Sequence, residues 1–248
     1  MLELKNISLS VEDEFTGNGQ KEILRDVSLT IETGKLVVVT GPNGGGKSTM
    51  AKMIAGILKP NQGQILLDGE DVTDLDITQR ATRGISFAFQ QPVRFKGITV
   101  RDLINLASGR EISDCEACGY LKEVGLCARD YIDREVNASL SGGEIKRIEI
   151  ATVMARKTKL TIFDEPEAGI DLWSFNNLID VFKNLRKEIN GSMLIISHQE
   201  RILDIADEII VIADGKVMAR GKKEKVLPEL LREDCQYCVG GKGRRVVQ

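Results

Sequence analysis

The sequence lacks the marks of a membrane-spanning or exported chain. It contains no run of apolar residues that approaches the roughly 18 needed to cross a bilayer as a helix. Its first residues, MLELKNISLSVEDE, alternate between apolar and polar side chains as a strand does, and they contain no basic stretch followed by an apolar one. We therefore expect a cytoplasmic protein that does not insert into a membrane.

The chain also lacks an excess of positive charge. Its 37 Asp and Glu residues outnumber its 34 Lys and Arg residues, which gives a formal net charge of −3. Proteins that bind nucleic acid usually carry a basic surface, so the composition argues against a nucleic-acid partner. A length of 248 residues with 42% hydrophobic side chains predicts one globular domain, or one domain with an inserted subdomain.

Cysteine is scarce, and its spacing needs an explanation. The five cysteines form two C-x-x-C pairs, Cys115 with Cys118 and Cys235 with Cys238, plus Cys127 alone. Structural disulfides are rare in the cytoplasm. The two pairs lie much farther apart in sequence than the pairs of a zinc ribbon, so we favour ordinary reduced thiols over a shared zinc or iron–sulfur site. We predict no tightly bound zinc.

The most informative motif is a glycine-rich loop. Residues 41–49 read GPNGGGKST and match the pattern G-x-x-x-x-G-K-[ST]. In such a loop, successive backbone N–H groups surround a phosphate, the Lys47 ammonium reaches the β- and γ-oxygens, and the Ser48 hydroxyl binds Mg²⁺. The candidate nucleotide-binding residues are therefore Gly41, Pro42, Asn43, Gly44, Gly45, Gly46, Lys47, Ser48 and Thr49.

A second motif places two carboxylates after a buried strand. The apolar run Leu160–Phe163 ends in Asp164 and Glu165. Ligands of open parallel sheets bind at the carboxyl ends of the strands. Asp164 can hold Mg²⁺ through water, and Glu165 can polarise the attacking water. A chance Asp-Glu pair in a surface turn is the alternative, which the preceding apolar residues disfavour.

A third motif, Leu140-Ser141-Gly142-Gly143-Glu144, opens a predicted helix. Ser141 is a suitable N-cap, and Gly142 and Gly143 let a phosphate approach the exposed N–H groups. The string SGG is common in loops, so on its own it does not indicate a phosphate site. It supports one here because it lies shortly before the Asp-Glu strand.

Apolar patterning arranges secondary structure around these motifs. The predicted strands span 2–11, 23–31, 36–39, 64–67, 85–89, 160–163, 193–196, 208–212 and 216–219. The predicted helices span 49–58, 144–156 and 172–189, with an inserted helical subdomain over about 98–140 and a mobile tail over about 232–248.

With the three motifs in this order, the chain resembles the ABC-type ATPases over roughly residues 1–230. The resemblance implies an α/β fold: a P-loop NTPase core with a mixed, mainly parallel sheet, an N-terminal antiparallel β subdomain and the inserted helical subdomain, all in one domain over 1–248. It also implies ATP and Mg²⁺ as cofactors and the hydrolysis of ATP to ADP and phosphate.

The resemblance implies roles for further residues. Gln90 stands where the family has a glutamine that contacts Mg²⁺ and water, so the metal set is Ser48, Gln90 and Asp164. His198, the only histidine, matches the switch residue that senses the γ-phosphate, and with Glu165 and Gln90 it completes the catalytic set. Asp171 matches an aspartate at a dimer interface. Ser141, Gly142 and Gly143 would then contact the nucleotide of a second copy in an ATP-dependent homodimer.

One position departs from the family pattern. Most members place an aromatic residue, usually Tyr, near the first strand to stack on adenine, and Val11 occupies that place here. Phe15, four residues later, is the nearest substitute. We therefore expect weaker stacking of the adenine base than is usual in this family.

Three longer stretches are similar to the SufC branch of the family, the ATPases of SUF-type iron–sulfur cluster assembly. They are SVEDE followed by ILRDVSL, GISFAFQQPVRFKGIT, and SHQERILDIADEIIVI. This similarity implies a soluble scaffold partner of the SufB/SufD type. The ATP-binding subunit of a membrane transporter is the alternative. A DNA-repair or translation ATPase is a third class, which the single cassette and the acidic charge disfavour.

Whichever partner it has, the family moves what is docked beside Gln90. The segment Gln91–Gly97 is therefore the predicted contact, with Val93 and Phe95 as apolar anchors between basic Arg94 and Lys96. A half-buried strand edge is the alternative interpretation of this alternation.

Overall fold

The computed structural model describes most of the chain. It covers residues 1–13, 19–91, 93–137, 139–168, 172–188 and 191–231. The predictions made for Phe15, Pro92, Asp171, Cys235 and Cys238, and for a mobile tail, lie outside the described residues. Within the described ranges, every helix is too short or too polar to cross a lipid bilayer.

Strands and helices are numbered in chain order. The strands are β1 (Leu2–Asp13), β2 (Gly19–Ile31), β3 (Leu36–Thr40), β4 (Gln62–Leu67), β5 (Glu70–Asp71), β6 (Ile85–Ala88), β7 (Leu160–Asp164), β8 (Ser192–Ile196), β9 (Glu208–Ala213) and β10 (Lys216–Lys222). The helices are α1 (Lys47–Ile54), α2 (Ile77–Thr82), α3 (Val100–Ser108), α4 (Asp114–Glu123), α5 (Ala128–Tyr131), α6 (Gly142–Arg156), α7 (Leu172–Glu188), α8 (Glu200–Asp204) and α9 (Lys223–Leu230).

The smaller sheet is antiparallel. In the described part of the chain its order is β2-β1-β4-β5. The two predicted N-terminal strands form its centre and edge, and both extend further toward their shared loop than predicted. The first residues of β2 are exposed there, so no apolar alternation marks them in the sequence. The two-residue strand β5 is too short to leave a periodic pattern.

The larger sheet is parallel except at one edge. Over the described residues its order is β10-β9-β3-β8-β7-β6, and only β10 runs antiparallel to its neighbour. Strands β3, β7 and β8 are buried at every position, which explains why apolar residues predominate in them. The antiparallel β9–β10 pair is the hairpin that the sequence predicts.

Two hydrophobic cores cover the two faces of the larger sheet. Along β3, Leu36 and Val38 belong to the core under the helices, while Val37 and Val39 belong to the core shared with the antiparallel sheet. Burying each such side chain contributes roughly 1.5–3 kcal/mol relative to leaving it exposed. The alternation therefore fixes β3 between two packed layers, which holds the loop that follows it in place.

Local signals explain why α1 differs from its predicted bounds and why α2 forms without having been predicted. Helix α1 begins at Lys47, directly after Gly46 with a φ of 102°, and it ends before Gly56 with a φ of 81°; it is therefore shorter than the predicted 49–58. Helix α2 was not predicted. Its signal is the capping box of Asp76 and Gln79, in which each side chain accepts a hydrogen bond from the other residue's backbone N–H.

Candidate functional site

The phosphate loop follows β3 and packs against two other strands. A Cβ atom on Gly41 would lie 2.0 Å from the carbonyl oxygen of Ile212 in β9. One on Gly46 would lie 2.7 Å from Cδ2 of Leu24 in β2. Both glycines also have positive φ, at 130° and 102°, so the backbone conformation and the lack of space each exclude a side chain. The loop backbone is thus held in one arrangement before any ligand binds.

Helix α1 presents a free N-terminus at the end of this loop. No side chain in the described chain caps it. Its first N–H groups lack intrahelical partners, and the helix dipole adds positive charge, so the position favours an anion. The Lys47 side chain folds over the loop and donates to the carbonyl oxygens of Gly41 at 2.8 Å and Pro42 at 2.9 Å. Burial lowers the pKa of Lys47, while the charges of Glu165 and Asp164 oppose that shift.

The predicted metal ligands Ser48 and Asp164 are adjacent. The Ser48 hydroxyl donates to Oδ1 of Asp164 at 2.9 Å. Burial raises the pKa of Asp164, and the hydrogen bond from Ser48 opposes the shift. A hydroxyl and a carboxylate are oxygen ligands of the kind that Mg²⁺ prefers, with water and phosphate oxygens completing its shell. These residues therefore fit a magnesium ion bound together with a triphosphate.

Glu165 lies between two other predicted catalytic residues. Nε2 of Gln90 donates to its Oε2 at 2.5 Å, and Nε2 of His198 lies 3.9 Å from its Oε1. Glu165 has a φ of 45°, a left-handed conformation that costs about 1–3 kcal/mol in a residue with a side chain. The turn after β7 therefore aims this carboxylate at the site rather than leaving it in a relaxed loop.

His198 follows β8 and is held by residues that the sequence analysis missed. The Ser197 hydroxyl donates to Oε1 of Glu167 at 2.5 Å and accepts from the backbone N–H of Gln199 at 3.0 Å. Burial lowers the pKa of His198, and the nearby Lys47 ammonium lowers it further, which favours the neutral imidazole. Only their places in the sequence could have indicated these two residues. Ser197 precedes the only histidine, and Glu167 follows Glu165 by two residues.

The Ser-Gly-Gly motif lies apart from this cluster. Ser141 is the N-cap of α6 and forms a capping box with Glu144. Helix α6 therefore begins at Gly142, two residues before its predicted start. None of the hydrogen bonds or ion pairs in the described ranges joins Ser141, Gly142 or Gly143 to the phosphate loop. Ser141 and Gly142 are exposed.

The sequence matches a known family over this site. The profile of the family described as ABC transporter matches residues 24–168, more than half of the chain. The chain belongs to the ABC transporter family. As an ABC ATPase, it binds ATP with Mg²⁺ and hydrolyses it to ADP and phosphate, as predicted.

Relatives of this ABC ATPase cover nearly all of it. An uncharacterized ABC transporter ATP-binding protein of Methanocaldococcus jannaschii, MJ0035, is 40% identical over 93% of this chain and 94% of its own length. The probable ATP-dependent transporter ycf16 of Antithamnion sp. is 32% identical over 92% and 93%. The lipopolysaccharide export system ATP-binding protein LptB of Haemophilus influenzae is 31% identical over 88% and 92%. These names support the family.

Solved ABC structures confirm the predicted fold class. A dimeric post-hydrolysis state of the ATP-binding cassette MJ0796 with ADP and Pi has a TM-score of 0.79 and 26% identity, covering 90% of this chain and 99% of that one. The structure of cbiO1 from Clostridium perfringens, part of the ABC transporter complex cbiONQ, has a TM-score of 0.75 and 25% identity, covering 92% and 90%.

The region predicted to hold adenine is polar in this ABC ATPase. Val11 is 43% exposed and pairs with Lys21 across the β1–β2 ladder. A cleft beside Gly44 has Gln20 and Glu22 in its walls, and no aromatic ring is among its described lining residues. Weak base stacking stays a prediction, because Phe15 lies outside the described residues.

The described residues alone do not assemble a metal site around the cysteines. Cys115, Cys118 and Cys127 are exposed free thiols. The described residues contain no group of three or more His, Cys, Asp or Glu side chains placed to hold a metal ion. Because Cys235 and Cys238 lie outside these residues, the absence of tightly bound zinc stays a prediction.

Proposed function

We propose that this ABC ATPase is the ATP-binding subunit of a membrane transporter and that it hydrolyses ATP as an ATP-dependent homodimer. The observation that carries the proposal is the cluster of polar side chains at the ends of the parallel strands, where Glu165 contacts Gln90 and approaches His198. The names of the relatives, which describe transporter ATP-binding proteins, support the choice of a transporter.

In this proposal each residue of the cluster has one task. Lys47 binds the phosphate oxygens, while Ser48, Gln90 and Asp164 hold Mg²⁺, which neutralises charge on the phosphates. Glu165 accepts the proton of the attacking water. His198 donates a hydrogen bond to the γ-phosphate, and this bond is lost when the phosphate leaves.

The homodimer is proposed because the Ser-Gly-Gly motif does not contact the phosphate loop of its own chain. Ser141 and Gly142 lie exposed at the positive end of a 15-residue helix. In a head-to-tail pair they would meet the γ-phosphate held by the other copy, with Asp171 near the interface. MJ0796, which has the same fold, is dimeric in its ADP-bound and Pi-bound structure.

The partner is proposed to dock beside Gln90. An apolar cavity of about 240 Å³ lies there, with Phe89, Val93 and Phe95 at its rim and Ile145 and Ile148 of α6 in its wall. The three rim side chains are 37%, 46% and 37% exposed. Exposed apolar side chains around a pocket are typical of a docking surface.

The alternative interpretation of Gln91–Gly97 as a strand edge is wrong for its described part. Residues 93–97 lie outside the strands, and their side chains are exposed. The Phe95 N–H donates to the Val136 carbonyl at 2.8 Å, and this backbone bond fastens the segment to the helical region. The exposed Arg94 and Lys96 add positive charge around the cavity.

Iron–sulfur cluster assembly is the second candidate function. The three stretches similar to the SufC branch favour it, among them the residues around Gln90 and His198. In this case the docked partner is a scaffold protein of the SufB/SufD type. The catalytic roles are the same in both candidates, so the partner distinguishes them.

Co-expression of the tagged ABC ATPase with the products of its neighbouring genes tests the partner. A transporter subunit should be recovered only in detergent, whereas a scaffold protein should be recovered without it. Phe95→Ala should reduce recovery about tenfold because it removes an apolar anchor. Met218→Ala, a similarly exposed apolar residue on β10, is the matched control and should not reduce it. Equal recovery with both variants would contradict docking at the cavity.

A further inference from the structure

Two charged residues of α6 hold the backbone of the residue before Gln90. Oε1 of Glu149 accepts from the Phe89 N–H at 3.1 Å, and Nζ of Lys146 donates to the Phe89 carbonyl at 2.5 Å. The two side chains also pair with each other, at 2.9 Å between Nζ and Oε2. We call Lys146 and Glu149 the α6 clasp. Both polar groups of the Phe89 backbone are therefore bound by one side-chain pair.

The clasp is buried in apolar surroundings. The side chain of Lys146 is 1% exposed and that of Glu149 is 18% exposed. Their neighbours on the helix, Ile145 and Ile148, are also buried. Desolvating two charges largely cancels their attraction, so such a pair is weak evidence for stability, and apolar replacements are often tolerated. Stability alone is thus a poor reason for a charged pair at this place.

The position of the clasp indicates what it acts on. Phe89 directly follows β6 and directly precedes Gln90 in the chain. The Gln90 amide makes its 2.5 Å bond to Glu165 from an exposed loop rather than from a strand. Without a fixed Phe89, nothing in the regular ladder of β6 determines where the Gln90 side chain lies, because that strand ends at Ala88.

We propose that Lys146 and Glu149 are positioning residues for the hydrolysis of ATP: through Phe89 they hold Gln90 against Glu165. The inference rests on the proposed roles of Gln90 and Glu165. It adds a physical connection, since the helix that Ser141 caps also fixes the glutamine of the phosphate site. Neither clasp residue belongs to the motifs by which the sequence resembles the family.

Two substitutions at one position separate positioning from ion pairing. Glu149→Gln and Glu149→Met both remove the charge that faces Lys146. Only the glutamine retains an acceptor for the Phe89 N–H. We expect Glu149→Met to lower kcat about tenfold, while the dissociation constant for ATP measured without Mg²⁺ changes less than about twofold, because the phosphate loop is untouched. Glu149→Gln should retain several times more kcat than Glu149→Met. Equal losses in the two variants would overturn the inference.

A double-mutant cycle tests whether the effect passes through Gln90. If it does, Glu149→Met should lower kcat by less than about twofold in a Gln90→Ala background, since the side chain to be positioned is already gone. Multiplicative losses would mean that the clasp acts elsewhere. If Gln90→Ala lowers kcat and Glu149→Met does not, only the inference fails. If Gln90→Ala leaves kcat unchanged, the proposed role of Gln90 fails with it.

Folding is controlled with two further variants. Arg156→Met removes an exposed charge from the last turn of the same helix and should match the wild-type protein in Tm and kcat. If Glu149→Met does not fold, the double variant Lys146→Met/Glu149→Met leaves no buried charge unpaired. It should fold and show the same tenfold loss. Wild-type kcat in that folded double variant would contradict the inference.

Discussion

The phosphate loop and the start of α6 both offer an anion the N-terminus of a helix, but they are built differently. Before α1 the chain is fixed by close packing against β9 and β2, and no side chain in the described structure caps the helix. Before α6 the N-cap is filled by Ser141, and the first residues face solvent. Lys47 and Asp164 come together within one chain, whereas in the proposed homodimer Ser141 would complete the site of the other copy.

This contrast follows from topology. Strands β3, β7 and β8 are parallel neighbours, so their carboxyl ends bring Lys47, Asp164 and His198 to one edge of the sheet. Helix α6 follows α3, α4 and α5 in the chain, and among the described residues its cap at Ser141 forms no hydrogen bond with the phosphate loop. We therefore expect a variant in the phosphate loop to lose nucleotide binding, and a variant at the start of α6 to lose turnover alone.

The largest effect is expected for Glu165→Gln. Loss of the general base should lower the rate of phosphate release about 10²–10⁴-fold, while the affinity for MgATP stays within about threefold. The variant should also accumulate as a dimer with ATP, seen as a doubled mass by light scattering. Glu200→Gln, at an exposed position of α8, is the matched control and should hydrolyse at the wild-type rate. Wild-type turnover in Glu165→Gln would mean that another group is the base.

Lys47→Ala should affect binding as well as turnover. The ammonium lies inside the loop and would contact phosphate oxygens in both ground and transition states, so its loss weakens uniform binding. We expect the dissociation constant for MgATP to rise at least about tenfold in equilibrium dialysis, with hydrolysis lost in parallel. Unchanged affinity would contradict the interpretation of residues 41–49 as a phosphate loop. Lys52→Ala, one turn further along α1, controls for loss of a positive charge.

On the other side of the comparison, Ser141→Ala should lower turnover without lowering the affinity of the single chain. It also removes a cap worth about 1 kcal/mol of stability. Ser113→Ala is a close control, because Ser113 and Glu116 form the same capping box at the start of α4. Both variants should lose similar Tm, but only Ser141→Ala should lose turnover, by about tenfold. Equal activity of the two would remove the evidence that Ser141 completes a site between two copies.

The part of the site that the sequence predicts is the part carried by strand ends. Buried runs before Asp164 and His198 imply parallel strands, and parallel strands imply a shared edge. The contacts that orient these residues leave no pattern in the sequence from which they could be predicted. The bond from Ser197 to Glu167 and the α6 clasp on Phe89 join side chains to groups far along the chain, so neither produces a periodic pattern. They depend on tertiary packing, which spacing in a sequence does not specify.

The smallest effect concerns the base of the nucleotide. Val11 stands where the family usually has an aromatic residue, and it is exposed on β1 with room for a larger side chain. Val11→Tyr should tighten MgATP binding about two- to thirteenfold, the range expected for one stacked aromatic pair worth roughly 0.5–1.5 kcal/mol. Val11→Leu adds apolar volume without a ring and should change the affinity less than about twofold. If tyrosine and leucine behave alike, the base does not lie over Val11. A selective gain with tyrosine would instead indicate that base stacking is what this phosphate site lacks, while the loop and α1 already bind the triphosphate.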